Sequence, residues 1–206
     1  MSEDPKPIIK VCGLARPQDA TMAAILGADM CGFIFHPKSP RAVAPNLARA
    51  MATPGAKRVG VFVDQSPGEI LEIMDEAGLD LAQFHGGQEP ATALDLGPDR
   101  VIKVFWPERQ TAGELAGLMD LWKDLAAYFL FDSGTGGGGS GRPIRVPIPA
   151  SPKPYLLSGG LTPEMARSLW PPEDPMLVGF DLNSGLEDAP RVKNANALKT
   201  LLPWRR

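Results

Sequence analysis

The chain has 206 residues, 44% of them hydrophobic, a size and composition that favour one globular domain spanning residues 1–206. Its formal net charge is −3 and its acidic and basic residues are interspersed, which argues against the basic surface of a nucleic-acid-binding protein. No apolar run is long enough to cross a membrane, and the polar segment Met1–Pro7 lacks the order of a signal peptide. We therefore expect a cytoplasmic protein with neither a membrane nor a nucleic acid as its partner.

Eight short apolar runs follow one another along the chain, and each is rich in Val, Ile, Leu or Phe. Most are continuous rather than alternating, which is typical of parallel strands that are buried on both faces. They begin 20 to 28 residues apart, which leaves room for a loop and a helix between neighbours. The predicted strands are Ile8–Cys12, Met30–Phe35, Arg58–Val63, Leu81–His85, Val101–Phe105, Tyr128–Asp132, Tyr155–Ser158 and Leu177–Asp181.

The segments between these runs carry the signals of helix ends. Pro17 begins an apolar stretch that stops at Gly27, with proline at the start and glycine at the end as helices prefer. Ser66 and Glu69 have the spacing of a capping box and precede an apolar face that ends before Gly78. Two more helices are predicted, one opening at Thr162-Pro163-Glu164 and one over Ala195–Leu202.

The alternation of strands and helices is an α/β signature, and about eight such units in so short a chain favour a closed (β/α)8 TIM barrel. An open sheet that binds a dinucleotide would carry G-x-G-x-x-G after its first strand, whereas this first strand runs into Cys12-Gly13-Leu14. The glycine-rich segment after the sixth strand lacks the Lys-Ser or Lys-Thr ending of a P-loop. We interpret Gly134–Pro154 as a long loop with little regular structure.

The carboxyl ends of the strands form the catalytic rim of such a barrel, so Cys12 and Asp132, which end the first and sixth strands, are candidate catalytic residues. A thiol becomes a usable base when nearby positive charge lowers its pKa, although a buried cysteine can also be a small core residue, as we expect for Cys31. The apolar run before Asp132 would raise the pKa of its carboxyl group and suit a general acid. The alternative for Asp132 is a cap or turn residue.

Two glycine turns follow the seventh and eighth strands, where this fold usually binds phosphate. Leu157-Ser158-Gly159-Gly160 runs into the helix predicted at Thr162, and Asn183-Ser184-Gly185 follows the eighth strand. Glycine lets backbone N–H groups approach an anion, and a helix N-terminus adds a favourable dipole. We predict that Gly159, Gly160, Asn183 and Ser184 bind a phosphate group, the alternative being two ordinary tight turns.

Arg41 and His85 are the remaining candidates for contacts with a substrate. Arg41 lies in a proline-stiffened loop after the second strand and could present its guanidinium to a carboxylate, or be a solvated charge. His85 ends the fourth strand and fits a structural role equally well, whereas His36 is interpreted as a loop residue. The two cysteines and two histidines fit no zinc-site spacing, so we expect no metal.

Seven segments of the chain also resemble the phosphoribosylanthranilate isomerases of tryptophan biosynthesis. They extend from the first strand to the last, and the first two, in order with the rest, are together highly specific. The segments are Ile9–Leu14, Gly32–Arg41, Val59–Val63, Gln83–Gly86, Phe131–Ser133, Leu157–Leu161 and Gly179–Glu187.

The resemblance implies a cofactor-free Amadori rearrangement of N-(5-phosphoribosyl)anthranilate to the 1-deoxyribulose 5-phosphate. By position, it implies that Asp132 is the general acid that protonates the ring oxygen and that Cys12 is the general base that removes the C2 proton. It places Arg41 near the anthranilate end of the substrate and the Gly159-Gly160 and Asn183-Ser184 turns at its phosphate. The partner it implies is a small phosphorylated substrate, bound by a monomer or a homodimer.

Two other functions are compatible with the residues alone. One is a different barrel enzyme acting on a phosphorylated sugar, although epimerases would need a metal with more strand-end His and Asp residues, and synthases a strand-end Lys–Glu pair. The other is a non-catalytic barrel that only binds phosphate, since a fold alone does not establish catalysis. Activity on the related aminoaldose of histidine biosynthesis is also left open.

Overall fold

A computed structural model describes residues 6–134 and 142–201, in which eight parallel strands close into a barrel with each strand paired to its neighbours in chain order. The predicted TIM barrel is therefore confirmed. Strand β1 completes the ring by pairing with β8 through four register partners, from Ile8 opposite Gly179 to Val11 opposite Leu182. The strands are β1 Ile8–Val11, β2 Met30–Ile34, β3 Lys57–Phe62, β4 Leu81–Phe84, β5 Val101–Phe105, β6 Tyr128–Phe131, β7 Tyr155–Leu157 and β8 Leu177–Leu182.

Each of the eight predicted strands overlaps an observed one, and six of the predictions run one residue past the end of the observed strand. Four of these six end in Cys12, His85, Asp132 or Ser158, residues that follow the strands at the rim. After β8 the chain forms a short antiparallel pair, β9 Glu187–Ala189 with β10 Val192–Lys193. The helices are α1 Pro17–Leu26, α2 Pro45–Ala50, α3 Pro67–Glu76, α4 Pro90–Leu96, α5 Ala112–Trp122, α6 Pro163–Ser168 and α7 Ala195–Lys199.

The helix-end signals are confirmed. Gly27 ends α1 in a left-handed conformation with φ 115°. The Ser66 hydroxyl accepts from the Glu69 N–H, and the Glu69 carboxylate accepts from the Ser66 N–H at 2.8 Å. The closing helix ends at Lys199, and Leu202, where its predicted end falls, lies outside the described residues.

The loop predicted over Gly134–Pro154 is described only in part. Residues 142–154 contain neither helix nor strand, as predicted, and residues 135–141 lie outside the described part of the chain. Within the described ranges, no helix has the length and apolar character needed to span a membrane. The extent of the domain over residues 1–206 stays a prediction.

Two apolar layers hold the barrel together. Strand residues that face outward pack against the helices, and Phe33, Phe62 and Phe84 are fully buried there. The strand residues that face inward form a separate cluster near the amino-terminal ends: Met30, Val59, Leu81, Ile102, Val104, Leu130 and Leu156. Because side chains alternate along a strand, the next inward positions lie closer to the carboxyl ends, and after β4 Leu81, β6 Leu130 and β7 Leu156 these positions are the polar residues Gln83, Asp132 and Ser158.

Candidate active site

A cavity opens at the carboxyl ends of the strands, and all eight predicted site residues line it. These residues are Cys12, Arg41, His85, Asp132, Gly159, Gly160, Asn183 and Ser184. Further lining comes from residues that were not predicted to bind substrate, among them His36, Gln83, Ser158 and Asp181. The sequence therefore identified the position of the cavity, while the roles of its residues stay predictions.

Cys12 follows β1, and its backbone N–H donates to the Leu182 carbonyl at 2.8 Å, which extends the β1–β8 pairing by one residue. Its side chain is 5% exposed. Burial raises the pKa of the Cys12 thiol, and the ammonium of Lys10 opposes this rise through its charge and a hydrogen bond. The positive charge expected beside the thiol is thus present, yet burial outweighs its effect on the pKa of Cys12.

Cys31 differs from Cys12 in its surroundings. It lies within β2, is fully buried among apolar residues on the helix side of the barrel, and burial raises its pKa to about 12. The prediction that Cys31 is a core residue is confirmed.

Asp132 follows β6, and its backbone N–H donates to the Phe105 carbonyl at 3.0 Å. The residue is 5% exposed, and burial raises the pKa of its carboxyl group to about 6, with a further contribution from the negative charge of Asp181. Backbone N–H groups of Ser133 and Gly134 partly counteract this rise. Its Oδ1 atom is buried with no hydrogen-bond partner among the described residues, so one carboxyl oxygen is available to a ligand.

His85 lies beside Asp132, with 3.7 Å between His85 Nε2 and Asp132 Oδ2. Burial lowers the pKa of His85 to about 4, helped by the charges of Lys10, Arg109 and Lys103, so the imidazole is neutral near pH 7. The Gln83 amide nitrogen lies 3.3 Å from His85 Nδ1. If Nδ1 accepts this hydrogen bond, Nε2 carries the proton and can donate into the cavity.

The two glycine turns, which follow β7 and β8, lie against each other in the wall of the cavity. Gly159 and Gly160 have φ of 94° and 60°, so both adopt the left-handed conformation that favours glycine. A β-carbon on Gly159 would collide with the Ser133 side chain, and one on Gly185 would collide with the Leu161 carbonyl. The turns can therefore pack this closely only with glycine at these positions.

Asn183 is held in place by Lys193. The buried ammonium of Lys193 donates to the Asn183 carbonyl at 3.1 Å and to its Oδ1 atom at 2.9 Å. This fixes the amide group, with its oxygen toward Lys193 and its nitrogen on the other side.

Arg41 is not a solvated charge. Its Nε donates to both carboxylate oxygens of Glu187 at 2.9 and 3.1 Å, and its Nη2 donates to Oε2 at 2.6 Å. Glu187 also accepts from Lys193 at 3.0 Å. Although burial would raise the pKa of Glu187, the hydrogen bonds and charges of Arg41 and Lys193 lower it, so the carboxylate stays ionised. The fork uses Nε and Nη2 and leaves the Nη1 edge of Arg41 for a ligand.

Four charged residues around the site were not predicted as site residues: Lys10, Asp181, Glu187 and Lys193. The sequence held a signal for Lys10, because it precedes Cys12 by two positions and must share its face of the strand. Glu187 and Lys193 come from the β9–β10 pair, which carried no pattern that indicated a structural role.

Comparison with known proteins gives a consistent result. The family model described as N-(5'phosphoribosyl)anthranilate (PRA) isomerase matches residues 9–203. A relative from Desulfovibrio desulfuricans, N-(5'-phosphoribosyl)anthranilate isomerase, is 46% identical over 205 residues that cover 95% of this chain and 93% of the relative.

Solved structures are similar over nearly the full chain. The phosphoribosyl anthranilate isomerase of Thermus thermophilus has a TM-score of 0.79 and 36% identity, covering 96% of this chain and 97% of its own. Another phosphoribosyl anthranilate isomerase, solved in complex with reduced 1-(o-carboxyphenylamino)-1-deoxyribulose 5-phosphate, has a TM-score of 0.75 and 26% identity, covering 97% and 98%.

Proposed function

Since the chain belongs to the N-(5'-phosphoribosyl)anthranilate isomerase family, we propose that Cys12 and Asp132 are the base and the acid of its reaction. The protein is an isomerase of tryptophan biosynthesis that converts N-(5'-phosphoribosyl)anthranilate to 1-(2-carboxyphenylamino)-1-deoxy-D-ribulose 5-phosphate in an Amadori rearrangement. The observation that carries the assignment of roles is that Cys12 and Asp132 reach one cavity from β1 and β6.

Asp132 is suited to the first proton transfer. Its pKa of about 6 keeps a usable fraction of the carboxyl protonated near neutral pH, and a protonated Asp132 would donate to the ribose ring oxygen. The bond between this oxygen and C1 breaks as the anthranilate nitrogen shares its electron pair with C1, which forms the Schiff base.

Cys12 is suited to the second transfer. The protonated Schiff base withdraws electrons and acidifies the C2 proton, which the Cys12 thiolate removes to leave an enolamine. The enolamine then takes a proton at C1 as the C2 hydroxyl loses its own, which gives the ketone. Proximity of both groups to a bound substrate replaces the need for a strong base in solution.

The other lining residues support binding. We assign the phosphate group to the turns at Gly159-Gly160 and Asn183-Ser184, where closely packed glycine backbone and a fixed Asn183 amide face the cavity. We assign the anthranilate carboxylate to the Nη1 edge of Arg41. His85, neutral and beside Asp132, is placed to hydrogen-bond a sugar oxygen.

The direct test is to generate N-(5'-phosphoribosyl)anthranilate in situ and follow the loss of its fluorescence with the wild type, Cys12→Ala and Asp132→Asn. We expect each variant to lose about 10²–10⁴-fold in turnover, the usual contribution of a general acid or base. Cys31→Ala and Asp120→Asn are matched controls, because both positions lie away from the cavity, and they should keep wild-type turnover.

Binding of the reduced product analogue should survive both catalytic substitutions, because the phosphate and carboxylate contacts are separate from proton transfer. Wild-type decay at the background rate would contradict the reaction itself. Activity that persisted in Cys12→Ala would keep the reaction and assign the base to another residue of the rim. Cofactor independence, a cytoplasmic location, and a monomeric or homodimeric state stay predictions.

A further inference from the structure

A lysine lies directly beneath the proposed base. Lys10 lies on β1 two residues before Cys12, which continues the β1–β8 pairing by one residue, so both side chains point into the barrel. Lys10 is fully buried, and its ammonium donates to Asp181 Oδ1 at 2.8 Å. The pair is formed by β1 and β8, the two strands whose contact closes the barrel.

The absence of a side chain at Gly32, on the neighbouring strand β2, allows the ammonium to approach the thiol. A β-carbon built on Gly32 would lie 2.9 Å from Cys12 Sγ and 3.2 Å from Lys10 Nζ. The thiol and the ammonium therefore occupy the same small space above the Gly32 backbone. Any larger residue at this position would press on both groups, so glycine permits their contact.

Lys10 carries its charge despite complete burial. Burial lowers the pKa of Lys10, but the carboxylate of Asp181 and the neighbouring thiol outweigh burial, so its pKa is raised. A buried ion pair is weak evidence for a contribution to stability, because well-packed apolar residues of similar volume often stabilise a protein as well. The contribution of this pair is therefore better sought in its effect on the neighbouring Cys12 thiol.

The charged and titratable groups around Cys12 come from several elements. They are Lys10 on β1, Arg41 after β2, His85 after β4, Asp132 after β6, Asp181 on β8, Glu187 on β9 and Lys193 on β10.

Lys10, Arg41 and Lys193 are the cations, Asp181 and Glu187 are the carboxylates outside the acid–base pair, and His85 is neutral. Burial raises the pKa of Asp181 and lowers that of Lys193, and the ion pairs of Asp181 with Lys10 at 2.8 Å and of Lys193 with Glu187 at 3.0 Å oppose these shifts. Together the three cations and two carboxylates leave one positive charge. That charge is balanced when Cys12 is ionised and Asp132 protonated, which is the state the reaction requires. Lys10 is the cation that acts most strongly on the thiol.

We propose that Lys10 is a positioning residue that stabilises the thiolate of Cys12, and that Asp181 keeps Lys10 charged and directed at the sulfur. This inference rests on the proposed role of Cys12 as the base and adds what makes a buried thiol usable. It assigns Lys10 no contact with the substrate, because its side chain lies below the floor of the cavity.

The test is the ionisation of Cys12 in the full chain, followed by iodoacetamide alkylation from about pH 7 to about pH 10.5 with mass spectrometry of the Cys12 peptide. In Lys10→Met we expect the pKa of Cys12 to rise by about one unit or more, so that alkylation and kcat/KM near pH 7.5 fall about tenfold. The wild-type thiol reaches its ionised plateau first, so the ratio between the two proteins should narrow as pH rises. If Lys10→Met acted only through the structure, alkylation and kcat/KM would each fall by the same factor at every pH.

Three further variants keep the result interpretable. Lys10→Arg retains the charge and should restore most of the alkylation rate. Lys103→Met removes another buried strand lysine, one that contacts the Trp122 ring and the Gly86 carbonyl, and should leave Cys12 ionisation unchanged. If Lys10→Met does not fold because Asp181 is left unpaired, the neutral double variant Lys10→Gln/Asp181→Asn removes both charges. It should still raise the pKa of Cys12, because Lys10 acts on the thiol more strongly than Asp181.

An unchanged or lowered pKa of Cys12 in Lys10→Met or in the double variant would overturn the proposal. Alkylation reports ionisation without turnover, so it separates this proposal from the assignment of the base. Slower alkylation with no loss of kcat/KM would support the role of Lys10 and contradict that of Cys12.

Discussion

Asp132 illustrates at the residue scale how folding tunes a side chain for chemistry at a cost in stability. Four apolar residues, Tyr128–Phe131, precede it, and from them a raised pKa was predicted. The structure adds a second cause, the negative charge of Asp181, which no local sequence pattern indicates. Together they raise the pKa to about 6, close to the pH at which a general acid works best.

This burial has a consequence for stability. The pKa of Asp132 is about 6 in the folded protein, against 3.8 for the ordinary carboxyl, so the folded state binds the proton more tightly than the unfolded state. The stability this provides is complete below about pH 3.8 and is lost as pH rises through 6. At neutral pH, wild-type Asp132 is therefore a largely ionised carboxylate in a poorly solvated place.

Asp132→Asn should therefore stabilise the protein at pH 8 while it lowers turnover. We expect a gain of roughly 1–3 kcal/mol in the free energy of unfolding at pH 8, which shrinks toward pH 4. Urea unfolding at the two pH values measures it, with the exposed substitution Asp120→Asn as the control for loss of a carboxyl group. A variant less stable than the wild type at pH 8 would contradict this reading of Asp132.

The β9–β10 pair shows at the element scale how a short segment outside the barrel shapes the site. It supplies Glu187, whose carboxylate accepts the two-pronged contact from Arg41, and Lys193, whose ammonium donates to both Glu187 and Asn183. One small element thus links the side proposed for the carboxylate to the turn proposed for the phosphate. The guanidinium fork predicted for Arg41 is held by Glu187, and the alternative, that Arg41 is a solvated charge, is wrong.

Glu187→Gln tests this link. Glutamine can still accept from Lys193, but it cannot hold the Arg41 fork with a charged, two-oxygen contact. Because Arg41 would then be less well oriented, we expect KM to rise about three- to thirty-fold with a smaller change in kcat. Steady-state kinetics measure both, and Asp120→Asn should change neither. A fall in kcat at unchanged KM would instead place Glu187 in the chemical step.

The closure of the barrel between β1 and β8 determines the structure at the scale of the whole molecule. It joins residues at the two ends of the described chain and brings Lys10 to Asp181, 171 positions away. Gly179 makes this approach possible, because a β-carbon there would collide with the Ile8 carbonyl. The same strand pairing closes the barrel and places the Lys10–Asp181 ion pair beside Cys12.

Two glycine-to-alanine substitutions should therefore have opposite effects on global stability. Gly179→Ala should lower the free energy of unfolding by about 2 kcal/mol or more, since backbone must move for closure. Gly117→Ala lies within α5 with open space around it and should raise stability by up to about 1 kcal/mol, because alanine favours the helix. Thermal unfolding of both variants distinguishes them, and equal melting temperatures would show that closure at Gly179 tolerates a methyl group.

Much of this protein was determined by short stretches of its sequence. The eight apolar runs, the Ser66–Glu69 capping box and the stop at Gly27 are local patterns, and each was confirmed because strand burial and helix capping depend on neighbouring residues. Parallel strands bring their carboxyl ends to one rim, so the polar strand ends at Cys12 and Asp132 could be placed in one site from sequence order alone.

Other features were decided only by the tertiary structure. The Lys10–Asp181 pair and the Arg41–Glu187 fork join residues 171 and 146 positions apart, and no local pattern specifies such partners. The net direction of the pKa of Cys12 likewise depends on how burial balances against Lys10, which requires the closed barrel. Sequence order determines which groups reach the rim, whereas burial and charge pairing across the closed ring determine their protonation.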